Sequence, residues 1–142
     1  MQTHNCETEP KTTNQVTSKS CAKYIYATSW LFLLSSIYAL YRRHYDISAV
    51  TFVLFASSIF YWSHPLYDWR RNLDIVIAIL AWLYLVYKSF TSKRRNTFLI
   101  FPILIILVYF YEWVEYVNPH HSTLLHCCVH IFSNCAAILY CI

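Results

Sequence analysis

Five long apolar runs alternate with short polar segments along the chain. They cover about 24–41, 49–67, 73–90, 97–116 and 122–142. Each run is close to the ~20 residues with which an α-helix crosses ~30 Å of hydrocarbon. The connections between the runs are too short to hold another domain. The pattern therefore predicts an all-α fold, a multipass transmembrane bundle of about five helices.

The first residues differ in character from the rest of the chain. Residues 1–22 are rich in Thr, Ser, Asn and Lys and contain a single large aliphatic residue, Val16. Such a segment has too little apolar surface to fold alone, so we predict a disordered polar tail over 1–22 and a transmembrane helical domain over 23–142. The tail also lacks the apolar core and cleavage site of a secretory signal peptide.

The composition excludes several classes of protein. Hydrophobic residues make up 58% of the chain and charged residues only 13%, whereas a soluble domain carries about 25% charged residues. Glycine is absent, which excludes the phosphate-binding loop and the dinucleotide fingerprint. The basic residues flank the apolar runs, as in a membrane protein, so we expect no nucleic-acid partner.

Lysine and arginine are divided almost evenly between the two sides of the predicted bundle. The side that holds residues 1–22, here called the tail side, has five of them and the opposite side has six. The six are crowded into short connections, which favours a cytoplasmic opposite side and a lumenal or external tail side. We expect an endomembrane location, in the ER or Golgi, rather than the plasma membrane. Pairing of Cys6 with Cys21 in an oxidising lumen is left open.

Ionisable side chains inside the apolar runs are the candidates for chemistry, because a membrane interior makes them costly. Helix parity places all of them toward the tail side. They are His64, Asp74, Glu112, Glu115, His126 and His130.

The sharpest local feature is the pair His126 and His130. Two histidines four residues apart lie on one face of a helix, at a spacing that lets two imidazoles share a metal. With His64 as a third ligand, they form the three-histidine set typical of catalytic zinc, which leaves one position for water. The alternative is that the pair only hydrogen-bonds its neighbours or lines a polar cleft.

A family resemblance joins these residues. Ser57 and Ser58 before His64, then Asp74, and then the His126–His130 pair resemble the alkaline ceramidase-like membrane hydrolases, whose superfamily includes the progestin/adipoQ receptors. The resemblance covers about 55–79 and 126–139. It implies that His64, His126 and His130 hold Zn²⁺, that Asp74 lies near the metal-bound water, and that Ser57 takes the oxyanion role of the family serine.

The chain departs from the family in three respects. The family has seven crossings, whereas this chain has five apolar runs. The family serine stands four residues before the histidine of the second helix, and here that position is Phe60. Pro65 biases His64 away from helical geometry.

The resemblance leads to two expected functions. The first is a zinc-dependent intramembrane amidohydrolase that acts on a lipid amide such as ceramide, with Asp74, Glu112 or Glu115 handling protons. The second is a non-enzymatic multipass membrane protein, a partner-binding or membrane-shaping subunit or a degenerate metal-binding relative. A membrane lipid is the expected partner in the first case.

Overall fold

The computed structural model describes residues 16–91, 95–114 and 119–142, without the side chains of 95–98, 112–114, 119 and 120. Over these ranges the chain is all-helical and contains no strand, which confirms the predicted fold class. Five helices follow one another: α1 Lys19–Tyr41, α2 Tyr45–Trp62, α3 Trp69–Thr91, α4 Arg95–Val114 and α5 Pro119–Tyr140.

Helix α1 begins earlier than the polar composition of the first residues suggests. Ser18 is its N-cap, with a side-chain oxygen that accepts from the backbone N–H of Cys21 at 3.3 Å. Cys21 and Ala22 are buried, and the backbone N–H of Val16 donates to the carbonyl of Pro65 at 3.1 Å. Small polar residues therefore both cap this helix and pack in its first turn. Residues 1–15 of the predicted tail lie outside the described part.

A tight reversal without glycine joins α1 to α2. Arg43 adopts the left-handed conformation with φ 64°, and its backbone N–H donates to the carbonyl of Leu40 at 3.0 Å. The backbone N–H of His44 donates to the carbonyl of Ala39 at 2.9 Å. This is the Schellman pattern, which usually has glycine at the left-handed position. It turns α2 back along α1 at once.

The helices form a closed ring. Helix α1 packs on α2 and α5, α3 lies between α2 and α4, and α4 returns to α5. Buried clusters stack along the ring: a tail-side cluster around Ile25 and Tyr61, a middle cluster around Phe32 and Leu54, and a cluster at the opposite side around Ile47. Because these clusters pair the start of α1 with the end of α2, the two helices are antiparallel. All five helices therefore face one common interior.

Three helices are long and apolar enough to cross a membrane, namely Tyr45–Trp62, Trp69–Thr91 and His121–Tyr140. In α4 the described apolar stretch is the shorter Leu99–Tyr111. Large apolar side chains cover the outside of the ring, as Leu34, Leu80 and Phe110 illustrate with more than half of their surface exposed. An apolar outer surface of this extent is compatible with an integral membrane protein.

Candidate functional site

The ring encloses a cavity of about 430 Å³ to which all five helices contribute. Most of its wall is aliphatic and aromatic. Its polar lining residues are Ser58, Asp74, His126, His130 and Ser133. Ligand sites commonly have this form, an apolar cavity with a few converging polar groups.

Asp74 lies in the second turn of α3, where it is only 8% exposed. The hydroxyl of Ser57 on α2 donates to its Oδ1 at 2.8 Å and lies 3.2 Å from the carbonyl of Leu54 in its own helix. The structure thus brings together the two residues for which catalytic roles were predicted. Ser57 is not among the cavity-lining residues, and its contact with the carboxyl makes it a positioning residue for Asp74.

His126 and His130 form one surface of α5, with ring centroids 5.0 Å apart. His130 is buried at 4% exposure, and its Nδ1 lies 3.0 Å from Oγ1 of Thr28 on α1. The Thr28 hydroxyl also lies 3.0 Å from the carbonyl of Ile25, and when it donates there its oxygen accepts from Nδ1–H of His130. In this neutral tautomer Nε2 of His130 is an acceptor.

His126 is half-buried among aromatic rings. Trp62 at the end of α2 contacts it with centroids 5.1 Å apart, and Tyr109 of α4 contacts it at 6.0 Å. The indole Nε1 of Trp62 and the hydroxyl of Tyr61 are buried without a hydrogen-bond partner. Sequence reasoning missed Trp62, Tyr109 and Thr28, because no local pattern indicates which face of α1, α2 or α4 meets α5.

His64 does not join the other two histidines. Helix α2 ends at Trp62, Ser63 follows as its C-cap, and the restriction before Pro65 keeps His64 out of the helix. Its side chain is exposed, with Nδ1 3.2 Å from the hydroxyl of Ser63, and it is not among the cavity-lining residues. The structure does not bring the three histidines together, and their convergence on one metal ion stays a prediction.

The residues beside the histidine pair do not fit a zinc site. Trp62, four residues after Ser58, occupies the place beside His126 where a third ligand is needed. An indole N–H donates hydrogen bonds and does not bind a cation. Within the described ranges, no group of three His, Cys, Asp or Glu side chains is placed to hold a metal ion. Zn²⁺ at His126 and His130 stays a prediction, and no chemical step is derived through it.

The other candidate residues are two glutamates and the cysteines. The side chains of Glu112 and Glu115 lie outside the described part of the chain. Cys21 is disulfide-bonded, and the expected partner, Cys6, lies outside the described residues as well. The free cysteines of the described ranges all belong to the last apolar run: Cys127, Cys128, Cys135 and Cys141.

Comparison with known proteins adds no relative. The chain matches no protein-family model, no curated protein and no solved structure. The resemblance to alkaline ceramidase-like hydrolases therefore stays a prediction that rests on the short motifs alone.

Proposed function

We propose that this chain is a five-crossing membrane protein that binds a lipid in its central cavity, with the polar end of the lipid at Asp74, His126 and His130. The observation that carries the proposal is the cavity itself, whose polar groups lie together while most of its wall is apolar. Buried ionisable groups inside a membrane bundle mark binding or transport sites by default. An amphiphile matches both parts of the wall.

The five crossings follow from the ring. Helices α2, α3 and α5 each have the length and hydropathy of a membrane span. Helices α1 and α4 complete the ring between them and share its interior, so they cross the same membrane. The disulfide at Cys21 supports an oxidising compartment on the tail side. Together with the basic residues opposite, it supports an ER or Golgi location with a cytoplasmic C-terminus.

The test measures lipid binding by the purified wild-type protein and by a variant whose cavity is filled. Ala78 lines the cavity, so Ala78→Phe fills it with a large side chain. We expect this variant to lose affinity for a fluorescent alkyl probe by at least about tenfold, which corresponds to ~1.4 kcal/mol. Ala49→Phe on the exposed face of α2 is the matched control and keeps wild-type affinity. Equal binding by both variants would show that the lipid binds elsewhere.

Hydrolysis of a lipid amide such as ceramide is the second candidate function. It is favoured by the placement of Asp74, supported by Ser57, in the cavity wall that also holds the histidine pair. Turnover of ceramides from neutral to alkaline pH, measured with the zinc content of the same preparation, tests it. A hydrolase should lose about 10²–10⁴ in rate with Asp74→Asn. A protein that binds lipid without turnover is the non-enzymatic alternative.

A further inference from the structure

The polar wall of the cavity includes a carboxyl group and an imidazole that face the interior. Asp74 contributes carboxylate oxygens, and His130 in its assigned tautomer contributes Nε2. The indole N–H of Trp82, which also lines the cavity, already donates to the carbonyl of Pro102 at 3.0 Å. Lysine and arginine are absent from the lining. A ligand that donates hydrogen bonds is therefore the better complement to this wall.

Asp74 is a buried carboxyl that forms no ion pair with a lysine or arginine of the described ranges. The ion pairs of the described ranges are Arg70 with Asp68 and Lys88 with Asp46, and both lie near the ends of helices. The shorter of the two contacts of the Ser57 hydroxyl is the one to Asp74, so Oδ1 of Asp74 accepts this hydrogen bond. A buried charge is stable only when it is paired as well as hydrogen-bonded.

We infer that the polar end of the ligand is a protonated amine, so that the cavity selects an amphiphile with a basic amino group. This inference rests on the proposed function. An ammonium group has three donors and no acceptor, which suits the oxygens of Asp74 and Nε2 of His130 in the tautomer given above. Aromatic rings of Trp82 and Tyr109 in the same wall attract a cation through their faces. The aliphatic part of the wall takes the alkyl chain.

The experiment compares head groups on one alkyl chain. Octadecylamine, octadecanol and octadecanoic acid displace the fluorescent alkyl probe from the purified full-length protein in a neutral detergent at neutral pH, where the amine is protonated. We expect the amine to bind at least about tenfold more tightly than the alcohol, and the acid to bind most weakly because it repels Asp74.

Matched variants separate the carboxyl of Asp74 from general effects of charge. Asp74→Asn keeps the shape but removes the charge, so the ratio of the affinities for octadecylamine and octadecanol should fall towards one. Asp68→Asn removes an equal charge outside the cavity and should keep the preference. If Asp74→Asn does not fold, Ser57→Ala replaces it as the test variant. This change removes the hydrogen bond from Ser57 to the carboxyl of Asp74, so it should reduce the preference for octadecylamine relative to the wild type.

The outcomes distinguish the two proposals. Equal affinity for amine and alcohol in the wild type overturns the amine inference and leaves lipid binding intact. A preference that survives in Asp74→Asn also overturns it, because another group then makes the selection. Failure of all three compounds to displace the probe overturns the proposed function and the inference with it.

Discussion

Buried polar side chains are placed differently in the two halves of the bundle interior, the tail-side half and the half at the opposite side. At the opposite side, buried polar side chains pair directly across helices. The hydroxyl of Ser35 donates to Oδ1 of Asn134 at 2.5 Å, and the Ser36 hydroxyl lies 3.1 Å from that of Ser48. Ala39, in the same half, has no exposed surface. This half is a satisfied polar core, of the kind that joins helices in membranes.

At the tail side, the polar groups line a cavity. Asp74, His126 and His130 each contact protein on one side and line the cavity on the other. Trp62 also lies in this half, with an indole N–H that has no partner. The comparison shows that buried polar side chains join helices at the opposite side, whereas at the tail side Asp74, His126 and His130 face a cavity.

The largest effect is expected at Trp62, which packs against His126 in the tail-side half. Trp62→Ala should lower the free energy of unfolding by about 3–5 kcal/mol, because it removes a large buried side chain. Trp62→His should be destabilised to a similar degree without metal, yet recover thermal stability when zinc is added, since a third imidazole then joins His126 and His130.

Thermal unfolding in detergent with and without zinc measures this effect. Trp62→Ala is the control, because it opens the same space without adding a ligand and should not respond to zinc. His64→Ala should leave both stability and zinc response at the wild-type level. A strong zinc response of the wild type that disappears in His64→Ala would show that the exposed histidine does converge with the pair.

The second prediction breaks a satisfied pair of the opposite half. Asn134→Leu leaves the Ser35 hydroxyl without its acceptor and removes the donor to the carbonyl of His130, which it contacts at 2.7 Å. We expect a loss of about 1–3 kcal/mol in thermal unfolding. The double variant with Ser35→Ala should recover part of it. Ser133→Ala, next to Asn134 but on the cavity wall, should be nearly neutral, and an equal cost there would contradict the comparison.

Local features of the sequence were sufficient to predict the helices. Run length and hydropathy are properties of a single segment, so five helices and their order follow from the pattern alone. The pair His126 and His130 also depends on one helix only, and Asp74 lies near a helix start that the charged separator indicates. These predictions need no knowledge of which helices touch.

Contacts between helices could not be predicted from single segments of the sequence. Nothing in α1 indicates that Thr28 contacts His130, because that contact depends on the closure of the ring between the first and last helices. His64 was assigned by its residue type and depth, yet Pro65 ends α2 before it, and Trp62 lies beside His126 instead. The residue of α2 beside His126 is therefore Trp62, two positions before His64, and an indole cannot bind a metal ion as an imidazole can.

The third prediction concerns the hydrogen bond between Thr28 and the imidazole of His130 in the tail-side half. Thr28→Val keeps the shape but removes the acceptor for Nδ1–H of His130. We expect a loss of about 1 kcal/mol in the free energy of unfolding and a small decrease in the affinity for octadecylamine. Thr51→Val is the matched control, because the Thr51 hydroxyl bonds only carbonyls of its own helix. Identical effects of both variants would show that the contact with His130 contributes nothing.

The smallest effect is expected in the connection between α2 and α3, outside both halves. The side chain of Arg70 donates to Oδ2 of Asp68 at 2.7 Å, and its backbone N–H donates to Oδ1 at 3.0 Å. The hydrogen bond from Arg70 lowers the pKa of Asp68 below its usual value. The stabilisation is therefore complete above the unfolded-state pKa of about 3.9 and is lost as the pH falls through the lower folded-state pKa.

Hydrogen exchange of the Arg70 amide should show this loss in the wild type. Asp68→Asn still caps the helix and should show no such step. A step of the same size in Asp68→Asn would assign it to another carboxyl group.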